Sequence, residues 1–311
     1  MVGRLAPAAA LAIGVAASTS MIAAPQFRAS VDVVRIEALV LDGSRPVAGL
    51  GASDFTVTDN GAAQTIAVRA LAREPIDVAV ALDVSGSVRG ARLERLREAA
   101  GTLVGLLTPL DRATLVTFDH QVTLGPRDVS PHGLDARLTA IAAGGRTALI
   151  DAVTAALVWS GGRERPMLIL AFSDGRDTSS WTRSDQALAL ARASDAVVDA
   201  VVAGDPLSTT NTQRLYDARV ELGIVAQGLS GAPTPDERFL RDLAAQTGGR
   251  IRNGEAGADL AGAFRDALEQ FRGRYEISYT ATGKEPGWHA IVVRVPGRRG
   301  ATVHARRGYQ R

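Results

Sequence analysis

The sequence predicts an α/β fold: a doubly wound, mainly parallel sheet, joined to a small β domain made from the N- and C-terminal segments. Three observations predict it. Between Pro75 and Phe271, continuous apolar runs such as Ile76–Leu82 and Met167–Phe172 alternate with segments whose apolar residues recur every three or four positions. That is the rhythm of parallel strands covered by helices on both faces. Before Glu74 and after Gly273 the apolar spacing drops to two, punctuated by Asn60-Gly61 and Pro46, as in short antiparallel strands. Finally, 311 residues exceed what one core usually organises, so more than one unit is expected.

Taken in order, residues 1–24 read as a secretory signal peptide. Arg4 precedes an apolar, small-residue run from Leu5 to Ala17, and small residues lead to Ala24; the run is too brief to span a bilayer. No later run is long enough to cross a membrane, so the mature chain is expected to be soluble, and the signal peptide implies that it is secreted or periplasmic. Residues 25–73 hold strands in Val31–Val40, Phe55–Gly61 and Gln64–Val68. Residues 74–273 form the α/β unit. Its strands are Ile76–Asp83, Thr114–Phe118, Val122–Leu124, Met167–Phe172 and Val197–Val202. Its helices are Arg89–Leu107, Pro131–Ile141, Ala148–Trp159, Ser184–Ser194, Asp236–Gln246 and Ala258–Phe271. Pro206–Asp217 reads as a loop insertion, followed by one plausible strand at Val220–Val225. Residues 274–311 return to alternation at Tyr275–Tyr279, His289–Val295 and Thr302–Arg306. They are expected to complete the N-terminal β segment, which alone is too small to bury much surface.

Composition narrows the chemistry. Hydrophobic content of 46% and charged content of 22% suit a folded soluble chain. A net charge of +2 is too small to argue for nucleic acid, and nearly all the positive charge is arginine, with Lys284 the one lysine. With no cysteine there is no disulfide framework, thiolate metal site or thiol nucleophile; export without disulfides suits a bacterial envelope. His120, His132, His289 and His304 have no ligand spacing and read as structural. There is no Gly-x-Ser-x-Gly elbow and no Gly-x-x-x-x-Gly-Lys loop, and Asp83-Val84-Ser85 lacks the second carboxylate of an aspartyl-phosphate phosphatase. Arg298-Arg299 and Arg306–Arg311 read as a solvated strand edge.

One constellation does carry chemistry. Asp83-x-Ser85-x-Ser87 places a carboxylate and two alternating hydroxyls where a strand hands over to a helix. Thr147, in Gly144-Gly145-Arg146-Thr147, precedes another helix, and Asp174 follows the strand from Met167. Each alone is a common cap or turn. Together they fall at the carboxyl edge of the predicted sheet, where open α/β sheets bind ligands. The donors are all oxygen, which suits Mg²⁺, with Mn²⁺ or Ca²⁺ as substitutes, and not zinc.

Asp83-x-Ser85-x-Ser87, Thr147 and Asp174 resemble the metal-ion-dependent adhesion site of von Willebrand factor type A domains, over roughly Glu74 to Gly273. The flanking β segments are similar to those of secreted bacterial proteins that wrap such a domain in β structure. The resemblance implies that Ser85 and Ser87 bind the ion through their hydroxyls. Thr147 would bind directly or through water, and Asp83 and Asp174 mostly through water. The open position would take an Asp or Glu from a partner protein, with no catalysis. Gly86 allows close approach to the ion; Gly86, Arg146, Asp177 and Trp181 are the candidate partner-facing residues, although Trp181 is expected to bury against the helix that follows it. Two other uses of the same ion stay open: a structural metal in an envelope scaffold or assembly factor, and Mg²⁺-dependent hydrolysis.

Overall fold

A computed structural model describes residues 33–126, 130, 133–162, 164–173, 177–202, 235–253, 259–281 and 285–311. The expected signal peptide, the loop Pro206–Asp217 and the strand Val220–Val225 lie outside the described residues. Val33–Arg311 is one compact unit.

Its centre is a six-stranded sheet of β6 (Asp77–Asp83), β7 (Arg112–Phe118), β8 (Val122–Leu124), β9 (Met167–Ser173), β10 (Val197–Val202) and β11 (Ile251–Asn253). The spatial order is β11-β10-β9-β6-β7-β8. All neighbours are parallel except β7 and β8. Strand β6 is buried along its whole length because both faces are covered. Val78, Val80 and Leu82 point to one side, against α1 (Ala91–Leu106), α2 (Asp135–Thr139) and α6 (Leu260–Arg272). Ala79 and Ala81 point to the other, against α3 (Leu149–Ser160), α4 (Ser184–Ala193) and α5 (Pro235–Thr247). The doubly wound reading holds, with α2 shorter than expected and β11 a strand that the sequence reading missed. Gly249 explains how β11 gets beside β10: a Cβ there would lie 2.0 Å from the Val198 carbonyl oxygen, so only glycine lets the chain pass.

The remaining strands make two antiparallel sheets. One combines β1 (Val33–Asp42), β2 (Arg45–Pro46), β5 (Ala67–Ala70), β12 (Tyr275–Thr280) and β14 (Thr302–His304). The other combines β3 (Thr56–Asp59), β4 (Ala62–Ala63), β13 (Trp288–Arg294) and β15 (Gly308–Gln310). Residues from both, among them Ile36, Val57, Ile277 and Ile291, form one apolar cluster. Within it Asp59 accepts from the Tyr279 and Tyr309 hydroxyls at 2.9 and 3.0 Å and contacts His289 Nδ1 at 3.0 Å. His289 is thus a packed structural histidine.

Arginines join these sheets to the central one. Buried Arg274 donates to the carbonyls of Glu37 and Gly248 at 3.0 and 2.9 Å. Arg306 donates to the carbonyls of Gly308 and Arg192 and pairs with Asp195 at 2.6 Å. Arg306 is only 6% exposed, which corrects the reading of this arginine as part of a solvated edge; Arg307 beside it is exposed. The physical reason is that β15 lies against α4, and three acceptors there meet the guanidinium.

Candidate metal centre

Asp83 ends β6 and Ser173 ends β9, and the parallel register pairs the residues just before them, Leu82 with Phe172. The Asp83 carboxylate is fully buried and held from two sides. Its Oδ1 accepts the Ser85 N–H at 2.9 Å, and its Oδ2 accepts the Ser173 hydroxyl at 2.9 Å. Ser85 is extended (φ −65°, ψ 171°) and opens a short 3₁₀ turn over Gly86–Val88. This turn brings the Ser85 and Ser87 hydroxyl oxygens to 3.0 Å from each other.

The second loop docks onto the first through the backbone. Gly144 N–H donates to the Val84 carbonyl at 2.8 Å and Gly86 N–H to the Gly145 carbonyl at 3.0 Å. A Cβ on Gly86 would stand 3.3 Å from that carbonyl, so the close approach favours glycine. Gly145 takes φ +73°, and a Cβ there would lie 2.5 Å from His120 Nδ1. Thr147 is buried and its backbone is clamped: the N–H donates to the Thr178 hydroxyl at 2.9 Å, and the carbonyl accepts from the N–H groups of Thr178 and Ser179 at 2.8 and 2.9 Å. Its hydroxyl has no hydrogen-bond partner among the described residues.

Asp174 lies outside the described residues, so the third segment enters at Asp177. The Asp177 carboxylate accepts the Ser180 hydroxyl at 2.6 Å, and its N–H donates to Asp236 at 3.0 Å, which ties this loop to α5. Arg146 is exposed and donates to the Thr178 carbonyl. Trp181 is 94% exposed, not buried against α4 as expected. Its backbone is fixed while its ring is free: Asp151, in the first turn of α3, accepts the N–H groups of Trp181 and Thr182 at 2.9 and 2.8 Å. Partial burial disfavours the Asp151 charge, but the Thr182 hydroxyl and these two N–H groups outweigh it and hold the carboxyl below its usual range.

Sequence and structure comparisons agree on the fold at this point. The family model of the von Willebrand factor type A domain matches residues 78–176. A solved von Willebrand factor type A structure from Catenulispora acidiphila superposes with a TM-score of 0.50 at 14% identity, covering 84% of this chain and 75% of that one. The α/β unit has the von Willebrand factor type A fold. An aerotolerance-related membrane protein from Bacteroides fragilis aligns at 16% identity and TM-score 0.46, covering 63% of this chain and 98% of that one. The type V pili tip protein Mfa5 from Porphyromonas gingivalis aligns at 23% identity and TM-score 0.32, over 34% of this chain and 39% of that one. Among curated proteins, none matches the sequence.

Within the von Willebrand factor type A fold, the group implied at this edge is a divalent cation, and the described residues fit one. Neighbouring ligands of octahedral Mg²⁺, each about 2.1 Å from the ion, stand about 3.0 Å apart; around Ca²⁺ the same edge is about 3.4 Å. The Ser85 and Ser87 oxygens are separated by 3.0 Å, which is also a hydroxyl–hydroxyl hydrogen bond, so the pair is preorganised at that spacing. Asp83 holds the Ser85 N–H on one carboxylate oxygen and the Ser173 hydroxyl on the other, which fixes its orientation at this edge. No cluster of three or more His, Cys, Asp or Glu side chains with metal-binding spacing occurs among the described residues.

Sequence reasoning missed three residues of this edge. Ser173 was legible only as part of a turn, since its contact with Asp83 depends on strand register. Asp119 follows the end of β7; its carboxylate contacts His120 at 3.1 Å and its carbonyl accepts the Ala148 N–H at 2.7 Å. The signal that could have found it is a carboxylate directly after a third buried strand. Asp151 reads as an ordinary helix-start acid, and nothing local announces that it holds Trp181.

Proposed function

We propose that this protein is a non-catalytic binding module that holds Mg²⁺ at the edge formed by Asp83, Ser85, Ser87, Thr147 and Asp174 and captures an Asp or Glu of a partner protein. The observation that carries the reading is the 3.0 Å pair of Ser85 and Ser87 hydroxyls over a buried, doubly hydrogen-bonded Asp83. Ser85 and Ser87 would hold the ion directly, with Thr147 completing the near shell, and Asp83 and Asp174 would act through water. When bound, the ion supplies an electrophilic position for a carboxylate, because neutral hydroxyls leave its charge largely uncompensated.

The chain's own residues do the rest. Asp83 orients the Ser85 loop, and the backbone bonds of Gly86, Gly144 and Thr147 keep three loops in register. Arg146 and Trp181 stand exposed at the rim, one a cation that favours an acidic ligand and one an aromatic anchor. Asp177 supports the loop that carries Trp181. Secretion to a bacterial envelope belongs to the same proposal; among the described residues no helix is long and apolar enough to cross a membrane.

The test is a pull-down from envelope extract with the immobilised chain. The expected result is a partner retained in Mg²⁺, released by chelator, and absent on Asp83→Ala. Equal retention under all three conditions overturns the reading.

A further inference from the structure

At the opposite edge of the central sheet, where β9 and β10 begin, lies a cavity of about 330 Å³. One wall is the end of α3 and the residues that lead into β9, including Leu157, Val158 and Met167; another is the end of α4 with Leu190 and Ala193. The third wall is the outward face of β1 and β12, which presents Arg35, Glu37 and Glu276. Glu37 and Glu276 are direct cross-strand partners, an arrangement that is unfavourable for two charges.

The carboxylates here are not equivalent. Glu276 accepts from Arg69 Nη2 on both carboxylate oxygens at 3.1 Å, and Asp195 is taken by Arg306 at 2.6 Å. Glu37 is 94% buried, since its exposure is 6%, and its carboxyl group has no hydrogen bond or ion pair among the described residues. Arg274 contacts only its backbone carbonyl. Of the cations on the other walls, Arg165 is turned to the Leu110 carbonyl and lies 3.9 Å from Asp77, and Arg35 stands half-exposed on the same strand. A buried acid that lines a cavity and makes no direct ion pair, with Arg306 and Arg274 acting on it only from a longer range, is where a cationic ligand gains most.

We propose that this cavity binds a small organic cation, a guanidinium or primary ammonium head on a short aliphatic body, with Glu37 as its counter-charge. The aliphatic part meets Leu157, Val158, Met167 and Leu190. The volume lies at the small end of ligand pockets, which suits a diamine or an agmatine-sized molecule and excludes a macromolecule. Burial first, then the nearby Asp195 charge, push the Glu37 carboxyl from its ordinary 4.5 up to about 7, against the opposing pull of Arg306 and Arg274. Glu276 adds to the upward push, while Glu164 and Arg165 line the wall across from it. Binding a cation therefore requires Glu37 to lose its proton.

Calorimetry with agmatine on the full chain tests this, with n-butanol as the neutral control. Agmatine is expected to bind at about pH 8 and to weaken by about 30-fold at about pH 5.5, where roughly one carboxyl in thirty is ionised. Glu37→Gln should weaken it at least tenfold at the higher pH and abolish the pH effect. Ala193→Phe, which fills the cavity from an exposed helix position, should block binding while leaving Glu37 in place, and serves if the first variant does not fold. Absence of agmatine binding to the wild type, or binding that neither variant alters, overturns the proposal. The metal site plays no part in this test, so chelator should not change the result.

Discussion

Asp83 is the residue on which the candidate metal centre turns, because it fixes two loops from a fully buried position. Asp83→Ala removes the acceptor for the Ser85 N–H and the Ser173 hydroxyl, which is expected to lower stability by about 1–3 kcal/mol in chemical denaturation as well as abolish Mg²⁺ binding. Ser87→Ala shifts the balance between the two effects: it deletes one near donor and leaves the buried Ser85 hydroxyl without its 3.0 Å partner but keeps both Asp83 bonds, so Mg²⁺ affinity should fall while the unfolding free energy drops by only about 1 kcal/mol. Trp181→Ala makes the complementary case. With the ring 94% exposed, the substitution should leave stability and Mg²⁺ binding unchanged and weaken partner capture by about 2 kcal/mol, read in the affinity of the retained protein. At this scale the sequence was informative where chemistry is local. Asp-x-Ser-x-Ser announces itself, whereas Ser173, Asp119 and Asp151 matter through partners 90, 29 and 30 residues away, which no local pattern encodes.

At the scale of elements, the loops of the site are held by glycine and backbone bonds more than by side chains. Gly145→Ala meets both a left-handed φ of +73° and His120 at 2.5 Å. It should cost about 1–2 kcal/mol and, by pushing the Gly86–Gly145 contact apart, weaken Mg²⁺ binding as well; calorimetry and melting on one variant check both. The strands and helices of the α/β unit were legible because buried parallel strands read as unbroken apolar runs. Strand β11 was not, since Ile251–Asn253 is three residues long and its Arg252 is directed to Asp199 by a 2.5 Å ion pair. Strand β1 shows a further limit: period two describes its first half, but Ala38–Leu41 is buried on both faces because the central unit covers the outer one.

For the whole molecule, the contact between sheets and α/β unit makes stability depend on pH. Folding raises the Glu37 carboxyl to about 7, so the native chain keeps a proton that the unfolded chain gives up. Stability from this group is full below about pH 4.5 and is lost as pH rises through about 7. Glu37→Gln should therefore gain on the wild type by as much as ~3 kcal/mol at alkaline pH and match it at acid pH, as melting curves across that range will show. His289 acts in the same direction. Its Nε2 contacts the Glu285 carbonyl at 2.9 Å, the largest cause of its raised pKa, and its Nδ1 contacts Asp59 at 3.0 Å, so the bonded form carries two protons. Its contribution is present below the ordinary histidine value and fades as pH rises beyond the raised one. Neither group could be assigned this role from sequence, because the burial of Glu37 and the Asp59 partner of His289, 230 residues away, arise only when distant segments meet.

The von Willebrand factor type A fold explains where the site lies, but the binding claim rests on two serines at the spacing of an octahedral edge. Titration of Mg²⁺ into the wild type and into the Ser85→Ala, Ser87→Ala double variant, followed by calorimetry, tests that claim most directly. Saturable heat from one site in the wild type and none in the double variant is the predicted result. Equal heats in both, or none in the wild type, would contradict it.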